Sequence, residues 1–195
     1  MLINLLKKYK IYLASESPRR HQLLNEMGVD FEFMPVRIAE NYPDDLKPVE
    51  VAEYLSQLKL STIKMNQFSS ETIFIACDTI VVLGNEVIGK PKDERDALLI
   101  LQKLSGKEHV VITGLTIATP EKRLTSNKQT LVKFKNFSEE ELQYYISHYK
   151  PFDKAGAYGV QEWLGYVGID YIQGSFYNVM GLPTKLLWDM LEKIV

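Results

Sequence analysis

The sequence predicts an α/β protein with a mixed sheet, and three observations lead to this class. Short apolar runs of strand length alternate along the chain with amphipathic stretches of helix length. A Gly84-Asn85 pair between two apolar runs is typical of a β-hairpin, so part of the sheet is expected to be antiparallel. The length of 195 residues, 46% of them hydrophobic, suits one compact domain or two small lobes around a cleft.

The first part of the chain predicts two strands and two helices. Residues 11–14 have the apolarity and length of a short buried strand. Ser17 and Pro18 then indicate a helix start, with the serine as N-cap and the proline at the first helical position. Residues 31–34 are expected to form the next strand, and Pro48 opens a second helix.

The middle of the chain predicts the hairpin. Residues 73–77 begin a strongly apolar strand, Asp78 interrupts it, and residues 80–83 resume it. A tight turn at Gly84 leads into the returning strand 86–88.

The rest of the chain continues to mix helix and strand signals. These are, in chain order, a helix capped by Asp93, strands over 110–118 and 130–134, a helix with a capping box of Ser138 and Glu141, and a last amphipathic helix from Pro183.

Composition excludes several classes of protein. The chain has 23 basic and 25 acidic residues, a net charge of −2, which disfavours nucleic acid and acidic membranes as partners. No apolar run approaches the roughly 20 residues that span a bilayer, and the N-terminal charges follow the apolar residues, unlike a signal peptide. The single cysteine, Cys77, cannot form an internal disulfide, so we expect a reducing, intracellular setting.

A cluster of positive charge follows the first predicted strand. The segment from Leu13 to Arg20 joins a strand to a helix N-terminus, where free N–H groups and the helix dipole attract anions. Arg19 and Arg20 lie in that first turn, which is unfavourable for helix stability, and arginine matches phosphate oxygens. Ser15 adds a hydroxyl donor. Two interpretations are open: a phosphate-binding turn, or a capped helix with two solvated arginines.

Asp78 is an acid where a core residue is expected. An unpaired buried carboxylate is costly, so Asp78 should face a cleft, pair with a cation or bind a metal. It is therefore a candidate general base or metal ligand, while the alternative is an acid on a solvent face or capping a turn. Magnesium needs only one or two protein carboxylates when phosphates supply other ligands, and Glu40 is the candidate partner.

Glycine-containing segments provide further candidates. Residues 84–90 match the first part of a P-loop, but Pro91 replaces the hydroxyl residue and the glycines belong to a hairpin, so we reject a P-loop. Lys90 is either a phosphate ligand or a solvated lysine. Residues 153–161 form a small, flexible loop whose backbone could approach a ligand, and Gln161 could read a base edge. This loop and the one at 175–183 could equally be structural turns.

These segments together resemble the Maf family, relatives of septum-formation proteins that hydrolyse nucleoside triphosphates. They occur in the family's order over nearly the whole chain, so residues 1–195 are expected to form one Maf-like domain. The matching stretches are Leu13–Arg20, Asp78-Thr79 with Gly89–Pro91, Thr113-Gly114, Asp153–Gln161, and Tyr177–Val179 with Gly181–Pro183.

The resemblance implies a bent mixed sheet in two lobes and a cytoplasmic, often dimeric pyrophosphatase that uses Mg²⁺ or Mn²⁺. It implies that Asp78 is the proton acceptor, and that Arg19, Thr79 and Gln161 separate substrate subgroups. Further positions that align with pocket residues are Ser15, Arg20, Glu40, Lys59 and Lys90.

The residues at the subgroup positions resemble those of enzymes that act on dTTP and UTP, and on modified pyrimidine nucleotides, in a house-cleaning role linked to cell-division arrest. Two alternatives are open: a 7-methyl-GTP pyrophosphatase of the same family, or a non-catalytic nucleotide sensor that regulates septum formation. Whether Asp78 acts as base, as metal ligand or as both is also open.

Overall fold

A mixed seven-stranded sheet forms the centre of the computed structural model, which describes residues 1–195. Its order is β2-β1-β3-β5-β6-β7, with β4 paired to β3; β1 is parallel to both of its neighbours, whereas β4 and β7 are antiparallel to β3 and β6. The predicted α/β class with a mixed sheet is thus confirmed. The strands are β1 (Lys10–Leu13), β2 (Glu32–Phe33), β3 (Thr72–Leu83), β4 (Glu86–Ile88), β5 (Glu108–Ala118), β6 (Arg123–Phe134) and β7 (Ile169–Gln173).

Eight α-helices flank the sheet, and none of them is both long and apolar enough to cross a bilayer. Two short 3₁₀ turns, at Met65–Gln67 and Ala155–Ala157, complete the regular structure. The helices are α1 (Leu2–Leu6), α2 (Pro18–Glu26), α3 (Pro48–Ser61), α4 (Glu94–Leu104), α5 (Glu139–Tyr149), α6 (Trp163–Gly168), α7 (Phe176–Met180) and α8 (Thr184–Ile194).

The chain divides into two compact units. The first unit comprises Met1–Asp78, Thr113–Lys128 and Gly181–Val195, and the second comprises Thr79–Ile112 and Gln129–Met180. Each of the three long strands, β3, β5 and β6, therefore contributes residues to both units.

The core of the first unit forms where β1 and the first half of β3 pair in parallel. Leu13 lies opposite Ile75, and both are fully buried because strands with covered faces must be apolar throughout. Helix α3 packs onto β5 so closely that a side chain at Gly114 would overlap the carbonyl group of Ala52. This packing fixes the position of α3, which carries Lys59.

The second unit contains the predicted hairpin and an aromatic core. Strands β3 and β4 pair antiparallel around Gly84, whose φ of +61° explains the glycine at this turn. The rings of His109, Phe134 and Tyr158 meet edge to face, and His109 Nε2 lies 2.8 Å from the Tyr158 hydroxyl. Burial of the imidazole lowers the pKa of His109 to about 4.

Two predicted helix caps are confirmed, and one is only partly correct. Asp93 accepts a hydrogen bond from the Asp96 N–H at 2.8 Å, and Ser138 and Glu141 form the reciprocal capping box of α5. Ser17 occupies the N-cap position of α2, but its side chain makes no capping hydrogen bond.

The structure corrects three strand boundaries. Strand β3 is continuous from Thr72 to Leu83, so the predicted interruption at Asp78 is wrong. The strand predicted over 130–134 is the second half of β6, and the one predicted over 31–34 shortens to Glu32–Phe33. The short elements α1, α6, α7 and β7 were not predicted.

Candidate active site

Asp78 is a buried acid inside β3. Its side chain is only 9% exposed, and its Oδ1 accepts a short hydrogen bond from the Lys59 ammonium group. A carboxylate can stay charged at such a position because a cation compensates for the lost hydration. Of the three environments expected for Asp78, the structure shows the cation pair.

Lys59 also contacts Glu40, so one ammonium group bridges two carboxylates. Lys59 lies in the last turn of α3, its side chain is 12% exposed, and its Nζ lies 3.3 Å from Glu40 Oε1. Glu40 lies in the segment between β2 and α3 that has no regular secondary structure, and its side chain is 38% exposed. We call Lys59, Asp78 and Glu40 the Lys59 cluster.

The pKa of the Cys77 thiol, next to Asp78 on β3, reflects the charges around it. Burial raises its pKa, the positive charges of Arg20 and Lys59 oppose that rise, and Asp78 adds to it. Arg20 therefore acts on the same buried position as Lys59. The thiol itself stays protonated and packs as a small core residue.

The turn before α2 is built around Ser15. Its hydroxyl accepts hydrogen bonds from Arg20 Nη1 at 3.0 Å and from the Ser17 N–H at 3.3 Å. Arg20 Nε donates to the Gly181 carbonyl at 2.8 Å, and His21 Nε2 donates to the Ser15 carbonyl at 2.6 Å. Arg20 is buried and fixed, so the interpretation of two solvated arginines is wrong for this residue. Arg19, at the second position of α2, is half-buried.

Thr79, Lys90 and Gln161 belong to the second unit. Thr79 is half-buried on β3, and Lys90 is exposed after β4. Gln161 is half-buried, and its Oε1 is a buried atom without a hydrogen-bond partner. Most buried polar atoms are satisfied, so this oxygen is a candidate acceptor for a ligand.

The loop at 153–161 is held firmly, which differs from the flexible loop predicted. Residues 156–160 are all buried. The Gly156 N–H donates to the Gly89 carbonyl at 3.1 Å, which ties the loop to the residue before Lys90. Gly156 has a φ of +71°, and an added Cβ would lie 2.9 Å from Val81 Cγ2, so both conformation and space require glycine here.

Sequence reasoning missed a second charged group, which we call the Lys154 cluster: Lys154, Asp153 and Glu162. The Lys154 side chain is 9% exposed, and its Nζ lies 2.7 Å from Asp153 Oδ1 and 3.1 Å from Glu162 Oε1. Glu162 also accepts a short hydrogen bond from the Tyr145 hydroxyl. Asp153 and Lys154 fall inside a segment that the sequence singled out, whereas no motif marks Glu162 or Tyr145.

The Lys59 cluster fits a divalent cation whose other ligands come from phosphate groups. No group of three or more His, Cys, Asp or Glu side chains is arranged to hold a metal ion. Asp78 and Glu40 nevertheless converge on one ammonium group. Two carboxylates are enough for Mg²⁺ when a substrate supplies phosphate oxygens.

A mixed α/β sheet that carries a fixed arginine, and a lysine paired with a buried carboxylate, places the chain among α/β proteins with side chains suited to phosphate groups. The particular family follows from the sequence model for the "Maf-like protein" family, which matches residues 10–194, and the chain belongs to this family. The expected family membership is thus confirmed.

Three relatives cover nearly the same length as this chain, and each is named dTTP/UTP pyrophosphatase. The protein from Cytophaga hutchinsonii is 49% identical over 194 residues, which are 100% of this chain and 88% of the relative. The protein from Phocaeicola vulgatus is 46% identical over 195 residues, all of both chains. The protein from Porphyromonas gingivalis is 43% identical over 194 residues, 98% of this chain and 97% of the relative.

Proposed function

We propose that this protein is a nucleoside triphosphate pyrophosphatase that converts dTTP and UTP to the nucleoside monophosphate and pyrophosphate. The observation that carries the proposal is the Lys59 cluster, in which a lysine, a cation suited to phosphate, contacts a buried carboxylate inside an apolar strand. The names of the relatives support the reaction and the pyrimidine substrates.

The triphosphate would be bound by cations already fixed in the fold. Arg20 is held by Ser15 and Gly181, so its side chain needs little further ordering when phosphate binds. Arg19, Lys59 and Lys90 would supply further positive charge, and the Ser15 hydroxyl would support the turn. Such pre-positioned charge accounts for most of the catalysis in phosphoryl transfer.

Asp78 would then orient and deprotonate the attacking water. Phosphate oxygens that draw Lys59 away from the Asp78 carboxylate leave that carboxylate free to accept a proton. The water oxygen bonds to the α-phosphorus, the bond from that phosphorus to the α–β bridging oxygen breaks, and pyrophosphate leaves with the electron pair. The water proton goes to Asp78.

Asp78 and Glu40 would hold Mg²⁺ or Mn²⁺ together with the substrate. When bound, the ion supplies charge neutralisation and polarisation of phosphate oxygens. Lys59 contacts both carboxylates and so holds them close together.

The base would be selected by Gln161, with Thr79 and Arg19 as further specificity residues. An amide offers one acceptor and two donors, which suits the N3–H and O4 edge of uracil and thymine. A site built around such polar atoms rejects bases that leave them unpaired.

Pyrophosphate release over a nucleotide panel tests this proposal. We expect dTTP and UTP to be turned over fastest with Mg²⁺ or Mn²⁺, and EDTA to abolish the activity. Faster release from 7-methyl-GTP would contradict the pyrimidine preference. Nucleotide binding without any pyrophosphate release would replace the enzyme with a nucleotide sensor.

We propose that residues 1–195 act as one catalytic domain in the cytoplasm, without a nucleic-acid or membrane partner, and that the protein forms a homodimer with a house-cleaning role linked to cell division. Light scattering at micromolar concentration would test the dimer.

A further inference from the structure

Gln161 lies in a turn whose flanking residues are held by backbone hydrogen bonds and close packing. The Glu162 N–H donates to the Gly159 carbonyl at 3.0 Å, which makes Gln161 the third residue of a β-turn. The Gly165 N–H donates to the Glu162 carbonyl at 2.9 Å, and a side chain at Gly165 would overlap the Val160 carbonyl. The backbone of Gln161 is therefore pinned to the start of α6.

The Tyr145 hydroxyl holds this turn from α5. It accepts a hydrogen bond from the Gly159 N–H at 3.0 Å and donates one to Glu162 Oε2. Tyr145 is fully buried, and burial with the Glu162 charge raises its pKa, so the hydroxyl keeps the proton that it donates. One hydroxyl thus bridges the first and last residues of the turn.

Lys154 fixes the other oxygen of Glu162. Its Nζ lies 3.1 Å from Glu162 Oε1, which leaves the carboxylate bound at both oxygens. The carboxylate lies directly over Gly159, where an added Cβ would be 2.7 Å from Glu162 Cδ. Any side chain at Gly159 would displace Glu162.

The Gln161 amide itself is not saturated by this network. Its Oε1 is buried and accepts no hydrogen bond, while Gly159 and Glu162, on either side of it in the turn, are bonded at several atoms. A buried acceptor without an internal partner, carried by a turn that its neighbours hold, is suited to an N–H donor on a ligand. Uracil presents such a donor at N3 beside an acceptor at O4, whereas cytosine presents an acceptor at N3 beside a donor at C4.

We propose that Tyr145, Glu162 and Lys154 are positioning residues that set the orientation of the Gln161 amide and thereby make the enzyme prefer uracil and thymine over cytosine. This inference rests on the proposed function, because it assigns Gln161 to the base. Without the hydrogen bonds of the Tyr145 hydroxyl, the Gln161 amide would be able to rotate by 180°. The rotated amide would then pair with the cytosine edge.

Tyr145→Phe removes only the bridging hydroxyl and tests the inference. We expect kcat/KM for UTP to fall about 10-fold, mainly through KM, while CTP loses less, so that the UTP-to-CTP ratio falls several-fold. Tyr144→Phe is the matched control, since it removes an exposed hydroxyl from the neighbouring residue of the same helix. A ratio unchanged in Tyr145→Phe, as in the control, would overturn the proposal.

Binding of UMP and CMP, measured by calorimetry, separates this inference from the proposed reaction. If the wild type prefers UMP and Tyr145→Phe loses that preference, the positioning role stands even where no nucleotide is hydrolysed. If the wild type is active and Tyr145→Phe keeps the preference in both assays, the positioning role fails and the reaction stands. Should Tyr145→Phe be unstable, Glu162→Gln is measured in the same way.

Discussion

Each unit of the molecule contains a lysine with little exposure that bridges two carboxylates, yet the two clusters differ in their remaining contacts. In the Lys154 cluster, Glu162 is bonded at both oxygens and its second partner, Tyr145, also holds the backbone at Gly159. The Lys154 cluster is thus part of a closed network between helix and turn.

The Lys59 cluster has a different setting. Asp78 lies within a strand, and Glu40 lies in a partly exposed segment without regular structure. In the proposed function, the Lys59 charge would be shared with an incoming anion while both carboxylates remain nearby. Asp153 of the Lys154 cluster is also exposed, so the difference lies in Glu162, which is bonded at both oxygens. We infer that such an ion pair supports chemistry where its carboxylates can exchange partners, and supports positioning where one carboxylate is bonded at both oxygens.

Replacing the central acid of the Lys59 cluster should have the largest effect. We expect Asp78→Asn to lower kcat about 1,000-fold, because an amide cannot accept the proton of the attacking water. Lys59 keeps its contact with Glu40, so the variant should stay folded. Asp189→Asn, which changes an exposed acid paired with Lys185, is the control and should keep full activity. Pyrophosphate release at saturating UTP measures both.

Removing the lysine should affect stability as well as activity. Lys59→Met leaves Asp78 charged and buried, so we expect the free energy of unfolding to fall by about 3 kcal/mol. Adding Asp78→Asn removes that charge and should restore most of the stability, but no activity. Lys185→Met, at an exposed pair, should cost less than about 1 kcal/mol. Urea unfolding gives these values, and a double variant as unstable as the single one would refute the ion-pair account.

Lowering the pH should reduce the free energy of unfolding through His109, in the second unit, and this effect should be smaller than that of Lys59→Met. The pKa of His109 is about 4 in the fold and 6.5 in an unfolded chain, so the unfolded state binds more protons between these values. Stability is therefore complete above about pH 6.5 and declines as the pH falls, with about 2 kcal/mol lost by about pH 5. His109→Gln should remove this loss, whereas His148→Gln, at an exposed histidine, should retain it. Equal pH dependence in both variants would exclude His109 as the cause.

The sequence predicted the elements whose signals are local. Caps such as Asp93 and the Gly84 turn depend on neighbouring residues, so a short segment contains all the information. The break predicted at Asp78 was wrong because the stabilising cation comes from Lys59, on another element. The short strand β7 has an exposed, weakly apolar pattern, so periodicity alone could not detect it.

As with the fold, the sequence predicted the parts of the candidate site that have local signals and missed those that depend on long-range contacts. The two arginines indicated the turn before α2. They did not indicate what holds Arg20 there, which is the Ser15 hydroxyl and the carbonyl of Gly181, far along the chain. Tyr145 and Glu162 belong to no motif and acquire their role only through tertiary contacts. Long-range hydrogen bonds of this kind leave no periodic pattern in a sequence.

The most direct test of the separate roles of Asp78 in the chemistry and Tyr145 in positioning compares UTP and CTP kinetics in Asp78→Asn and Tyr145→Phe. We expect Asp78→Asn to lower kcat for both nucleotides by the same large factor and to leave their ratio unchanged. We expect Tyr145→Phe to keep kcat near that of the wild type and to lower the UTP-to-CTP ratio of kcat/KM. Wild-type turnover by a folded Asp78→Asn protein would exclude Asp78 as the proton acceptor.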